Sequence, residues 1–224
     1  AKTLEDTIKS VINQTYPNVE YIIIDGGSTD GTLDIIKKYE DQIDYWVSEP
    51  DKGIYDAMNK GVKVALGTWI CFIGSDDILD NKWLQTALLT CSNREVNYIY
   101  GNISYILGSL KREYKYRSIN DMKDLKKGFI IPHTGSIQSK ELFKKSLFNS
   151  DFKICGDYDF ILRVLHVLKP YYIDVLQSYM KVGGVSNAYN YAQLHYNEYL
   201  KIVKIHKIQL QFKNKIKYKL KLAL

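Results

Sequence analysis

Cysteine is scarce in this chain, and long apolar runs are missing. The 224 residues hold three cysteines, Cys71, Cys91 and Cys155. They are widely spaced, odd in number and form no C-x-x-C pair, which argues against both a disulfide framework and a zinc site. No stretch approaches the roughly 20 apolar residues that cross a bilayer, and no signal-peptide pattern opens the printed sequence. Acidic residues also run out: none follows Glu198, whereas Lys201, Lys204, Lys207, Lys213, Lys215, Lys217, Lys219 and Lys221 do. The net charge of +6 therefore sits on a tail, and the body is close to neutral. With no groove-reading motif beside those lysines, a nucleic-acid partner is not expected. The expected setting is the cytosol. The tail reads either as a solvated helix or as a peripheral anchor on an anionic inner plasma-membrane face, each lysine adding about 1 kcal/mol.

What is present is an ordinary globular composition, 46% hydrophobic and 25% charged, enough for one sizeable domain. The pattern alternates helix and strand. Residues 3–13 place Leu4, Ile8, Val11 and Ile12 on one helical face, and Val19–Ile24 is a near-continuous apolar strand. A helix over 32–39, a strand over 43–47, a helix over 54–65 and a strand at Trp69–Ile73 follow, then a helix over 81–91. That order predicts βαβ units and a mainly parallel sheet flanked by helices. After Asn97 the pattern changes to short strands around a Gly108-Ser109 turn, a smaller mixed region. A helix from Cys155 to about Leu168 and strands over 171–175 and 178–182 come next. Three parts result: a first half over 1–96, a second half of the same domain over 97–188, and a basic helical tail over 189–224.

Carboxylates gather where strands end. Trp69–Ile73 runs through Gly74-Ser75 into Asp76-Asp77. Ligands in open α/β sheets bind just beyond the carboxyl ends of strands, and hard cations want oxygen ligands, so the pair suits a divalent ion; it also suits helix capping. Asp25 ends the strand before Gly26-Gly27-Ser28, a turn whose glycines permit close backbone approach. Asp157 and Asp159 lie in the first turn of a helix, where the helix dipole favours acids by about 0.3–1 kcal/mol, so capping alone accounts for them. His133 lies in a loop between Pro132 and Gly135. Arg163 stands four residues from Asp159, at ion-pair spacing.

Four blocks, in order, resemble the family 2 glycosyltransferases, inverting enzymes of the GT-A (Rossmann-like) fold. They are Ser10–Tyr16 leading into Ile24–Thr32, then Ser48–Gly61, Phe72–Asp77 and Gly156–Phe160. The resemblance implies a metal-dependent transfer of a sugar from a nucleoside diphosphate, most naturally a UDP-sugar, to a glycan or lipid-linked acceptor in cell-surface polysaccharide synthesis. It implies that Asp157 is the catalytic base and that Asp77 binds Mg²⁺ or Mn²⁺. Asp25, Gly27, Asp51, Lys52, Asn59 and Asp76 would contact the nucleotide-sugar, and His133 and Asp159 would lie near acceptor or phosphate. Members usually open with a strand ahead of the first helix, which is absent here. A fragment of a longer protein, poorly stable or inactive as written, is therefore expected. Two other readings are a nucleotidyltransferase and a non-catalytic nucleotide-sugar-binding module.

Overall fold

The computed structural model describes residues 1–128, 130–182 and 191–209. Its elements in order are α1 (Leu4–Ile12), β1 (Ile22–Asp25), α2 (Thr32–Lys38), β2 (Tyr45–Ser48), α3 (Ile54–Val64), β3 (Trp69–Cys71), β4 (Ile78–Leu79) and α4 (Trp83–Cys91). Then come β5 (Tyr98–Leu107), β6 (Leu110–Tyr114), β7 (Ile137–Ser139), α5 (Lys140–Lys145), α6 (Gly156–Arg163), β8 (Pro170–Lys181) and α7 (Ala192–Ile205). The alternation predicted up to Cys91 is present, and α1 buries Leu4, Ile8 and Val11 on the anticipated face.

The strand pairing is less parallel than expected. Among the described residues β1 and β2 pair in parallel as a two-stranded sheet, and β3-β7-β5-β8-β4 form a second sheet with β6 alongside β5. Of the ladders among the described residues, β1–β2 and β5–β8 are parallel, and β3–β7, β4–β8, β5–β6 and β5–β7 are antiparallel. The reason is that β5 and β8, from the second half of the chain, take the middle of the larger sheet. Residues Tyr98–Ser104 of β5 are all buried. Element order along a chain does not say which strands become neighbours. The fold is thus mixed α/β with the helices of the first half around it.

Two boundaries also move. The closing strands predicted over 171–175 and 178–182 are one strand, β8, with its register against β5 shifting around Asn102. There the bare Gly101 is required, since a Cβ would sit 2.5 Å from the Val175 carbonyl. The helix expected to reach Leu168 stops at Arg163. The tail splits: α7 packs Tyr199, Ile202 and Val203 into the main core, while 210–224 lie outside the described residues. The first part of the tail is therefore built into the body rather than solvated. The Gly183-Gly184 stop also lies outside the described residues. No helix among the described residues is long and apolar enough to cross a membrane.

Candidate active site

Asp25 is the last residue of β1, in register with Ser48 at the end of β2. Its carboxylate is buried and already occupied: Oδ2 accepts from the amides of Gly27 (3.0 Å) and Ser28 (2.9 Å) and from the Ser48 hydroxyl (2.6 Å), and Oδ1 accepts from the Ser28 hydroxyl (2.5 Å). Burial alone would raise this carboxyl, but these bonds outweigh it and hold it below its usual range. Asp25 thus shapes the turn after β1, with Gly27 at φ +87°. A Cβ on Gly26 would meet the Asp51 carboxylate at 2.5 Å, so the β1 turn and the 48–53 loop are in close contact. Asp51 Oδ1 accepts the Gly53 amide at 2.7 Å, and Lys52 is exposed.

Asn59, expected at the nucleotide-sugar, is buried on α3 and turned inward. Its Nδ2 donates to the Phe148 carbonyl at 2.8 Å and its Oδ1 accepts the Phe148 amide at 2.9 Å. It ties α3 to the loop before α6.

The segment after β3 carries Asp76 and Asp77. Thr7 of α1 donates to the Asp77 carbonyl at 2.7 Å, and the Asp77 amide returns to the Gly74 carbonyl at 3.1 Å. Both side chains converge on the bare Gly74 Cα: a Cβ there would lie 2.9 Å from Asp77 Oδ2 and 3.1 Å from Asp76 Oδ1. Burial first, and the neighbouring Asp76 charge second, push the Asp77 carboxyl up to about 7. Two carboxylates crowded in a partly dry place are what a divalent cation relieves. No third His, Cys, Asp or Glu joins them among the described residues. That donor set fits an ion which takes one or two carboxylates and completes its shell from phosphate and water.

Asp157 sits in the first turn of α6. Its Oδ1 accepts the Tyr158 amide at 2.8 Å and lies 3.2 Å from the Tyr55 hydroxyl on α3. Burial raises its carboxyl to about 6 despite those bonds. Asp157 and His133 line one small pocket with Tyr98, Leu125, Ile131 and Ile161. His133 stacks on Phe72, centroids 5.2 Å apart, immediately ahead of Ile73 and Gly74. Its Nδ1 is 3.1 Å from Gln138 Nε2. Burial lowers the imidazole to about 4, so it stays neutral, and Nε2 is shielded without a partner.

Asp159, expected near acceptor or phosphate, faces the other way. It is 2% exposed, with Oδ2 accepting from Arg163 Nε and Oδ1 against His206 Nε2, each at 2.8 Å. The Arg163 pair follows the helical spacing seen in the sequence; His206, 47 residues away, did not show in it.

Residues 1–152 match the sequence pattern described as Glycosyl transferase family 2. The chain belongs to that family. It is an inverting glycosyltransferase. A PGL/p-HBAD biosynthesis glycosyltransferase of Mycobacterium bovis is 30% identical over 196 residues, spanning 84% of this chain and 75% of that one. An uncharacterized glycosyltransferase of Mycobacterium tuberculosis is 32% identical over 188 residues, 82% and 72% of the two chains. Among solved structures, S. aureus TarS 1-349 in complex with UDP-GlcNAc superposes with a TM-score of 0.71 at 18% identity, over 99% of this chain and 68% of that one. The mannosyltransferase PcManGT from Pyrobaculum calidifontis, in complex with GDP-Man and Mn2+, gives 0.69 at 15%, over 100% and 67%. The chain spans 40% of the longer TarS structure. These structures carry the GT-A fold expected for this glycosyltransferase.

The sequence did not single out three residues that hold the candidate site residues in place. Tyr55 supports Asp157, Thr7 anchors Asp77, and Glu198 holds the approach to α6. Tyr55 stood inside the Ser48–Gly61 block, and Glu198 was the last acid before the lysine run. Neither position carried a mark of its own.

Proposed function

We propose that this glycosyltransferase moves a sugar from a nucleoside diphosphate, a UDP-sugar first, to a hydroxyl of a glycan or lipid-linked acceptor. The observation that carries the reading is the Asp157 carboxyl, held by a backbone amide beside a neutral His133 and raised to about 6. A carboxyl raised to about 6 is mostly ionised at pH 7 and binds a proton more readily than a solvated one, as a general base needs.

In the reaction Asp157 accepts the acceptor hydroxyl's proton as its oxygen forms a bond to the anomeric carbon. The bond from that carbon to the diphosphate oxygen breaks on the opposite face, which inverts the centre. Tyr55 fixes the carboxylate from one side, and the neutral, buried His133 lines the same pocket. Asp25 keeps the Gly26–Ser28 turn against the Asp51 loop, and Lys52 stands exposed beside it. These supply the donor's cradle. Asp77 and Asp76 would hold the cation, Mn²⁺ or Mg²⁺. A cation there supplies Lewis-acid relief of charge on the leaving diphosphate. The UDP and UDP-GlcNAc complexes of TarS and the GDP-Man and Mn2+ complex of PcManGT support this choice of donor class and metal.

A panel of UDP- and GDP-sugars, each with and without Mn²⁺, tests the reading by thermal shift and by release of nucleoside diphosphate. Metal-dependent stabilisation by at least one donor is expected, and Asp157→Asn should keep that shift while losing turnover by about 10²–10⁴-fold. Full turnover in Asp157→Asn would remove Asp157 as the base. Membrane attachment through 210–224 is tested by flotation with anionic liposomes, with and without those residues.

A further inference from the structure

The reaction as drawn leaves α7 without a task, yet α7 buries a carboxylate against the segment that carries Asp157. Glu198 is 7% exposed. Its Oε1 accepts the Lys153 amide at 2.7 Å, and its Oε2 accepts the amides of Ile154 and Cys155, each at 2.9 Å. These donors lie just ahead of α6, whose N-cap residue Cys155 provides no side-chain bond of its own. An acid from a distant helix therefore satisfies amides at the α6 N-terminus, where the helix dipole also favours negative charge. The same short segment is gripped from the opposite side. The Tyr55 hydroxyl donates to the Ile154 carbonyl at 2.6 Å, and Lys153 Nζ bonds the Lys52 carbonyl of the donor-side loop. Tyr199, next to Glu198, stacks on Tyr158, next to Asp157, with centroids 6.2 Å apart.

We propose that Glu198 is a positioning residue for the transfer: by fixing the backbone of residues 153–155 it holds the Asp157 carboxyl at the acceptor pocket. The proposal rests on the reading of Asp157 as the base. The carboxylate is specifically needed because both of its oxygens accept from N–H groups. A glutamine brings one acceptor oxygen and turns an NH₂ toward an amide donor. Glu198 also acts on the base electrostatically. The groups facing Asp157 are Tyr55 from α3, Tyr98 from β5, His133 from the loop before β7, Cys155 on its own segment and Glu198 from α7. Burial is the main cause of the raised Asp157 carboxyl, and the Glu198 charge adds to it.

The test uses the full chain with three variants: Glu198→Gln, Glu198→Asp and, as a control for plain loss of packing, Ile202→Ala. Ile202 is fully buried on the same helix. Amide hydrogen exchange at 153–155, the carboxyl ¹³C titration of Asp157, and kcat and KM for UDP-GlcNAc and GDP-mannose with Mn²⁺ are measured. Glu198→Gln should lose protection at 153–155, move the Asp157 midpoint to lower pH and lower kcat roughly 10- to 100-fold with donor KM little changed. Glu198→Asp should restore part of each. Ile202→Ala should lower Tm while leaving the midpoint, and kcat per folded molecule, as in the parent. If Glu198→Gln behaves as Ile202→Ala does, or leaves exchange and midpoint unmoved, the proposal is overturned. If neither donor turns over, exchange and titration decide it alone. Full turnover in Asp157→Asn would instead overturn the base assignment, with the exchange result still ruling on whether Glu198 holds the segment.

Discussion

The Tyr55 hydroxyl lies 3.2 Å from Asp157 Oδ1 while donating to the Ile154 carbonyl at 2.6 Å. Burial keeps that phenol's proton well out of reach of ordinary pH, so Tyr55 remains a donor throughout. Shared with Asp157 at the longer distance, its O–H favours the ionised carboxylate. Tyr55→Phe should therefore move the acid limb of the pH–rate profile to higher pH, the opposite direction from Glu198→Gln. Leaving the buried Ile154 carbonyl unpaired should also cost about 1–3 kcal/mol in denaturant unfolding. An acid limb that stays in place would show that the hydroxyl serves the backbone alone.

Asp157 sets a pH dependence whose sign differs between activity and stability. With Asp157 as the proposed base, turnover needs the ionised carboxylate, so kcat/KM should fall as pH drops through about 6. Stability runs the other way. The folded carboxyl is raised above its unfolded value of 3.8, so the contribution is complete below pH 3.8 and lost as pH rises through about 6. Asp157→Asn should then be more heat-stable than the parent at pH 7.5 and no better at pH 3.5. Thermal melts at the two pH values check this.

Gly156 precedes Asp157 and packs on the Tyr55 ring. A Cβ there would come within 2.7 Å of Cδ2 and Cε2 of that ring. Both residues are buried, so the clash cannot be relieved by swinging a side chain into solvent. Gly156→Ala should destabilise by about 1–3 kcal/mol and lower kcat by displacing Tyr55, even though alanine favours helix. Unchanged unfolding midpoints would show that α6 can slide.

What the sequence disclosed follows from what is local. The acids at strand ends, the Gly26-Gly27 turn, the Asp159–Arg163 pair and the helices up to Cys91 each depend on neighbours within a few residues. What it hid depends on long-range packing. Asp25 looked free for a ligand because nothing nearby announced that Ser48, 23 residues on, would join Ser28 in wrapping it. Asp159 resembled a site residue because His206 was invisible from its side. Asn59 likewise met Phe148 only through the fold. The sheet looked parallel because β5 and β8, not the βαβ units, fill the middle of the larger sheet.

The Asp159 cluster gives a separate stability test. Arg163→Met would leave Asp159 buried with His206 as its only side-chain partner in the cluster, and breaking a buried pair on one side typically costs about 3–5 kcal/mol. Arg163 is partly exposed, so the lower end is expected. Because Asp159 is bonded to Arg163 and His206 and does not line the pocket of Asp157 and His133, kcat per folded molecule should change little. A large kcat loss without a fall in unfolding free energy would restore Asp159 to the site.

On the proposed reading, Asp77 would link a cation to folding in a way that one variant can expose. Burial and the Asp76 charge raise its carboxyl to about 7, so without a cation the ionised pair weighs against the fold. That contribution to stability is present below pH 3.8 and lost as pH rises through about 7. Asp77→Asn removes the repulsion and should melt higher than the parent at pH 8 in EDTA, by at most about 4 kcal/mol in unfolding free energy, and no higher at pH 3.5. Mn²⁺ should reverse the order at pH 8. The parent gains stability as the cation neutralises the pair, whereas the variant, with one charged oxygen donor fewer, gains little. Equal Mn²⁺ shifts in both proteins would move the cation away from Asp77, and a variant that melts lower than the parent in EDTA would show that the carboxylate is held by bonds that outweigh its burial.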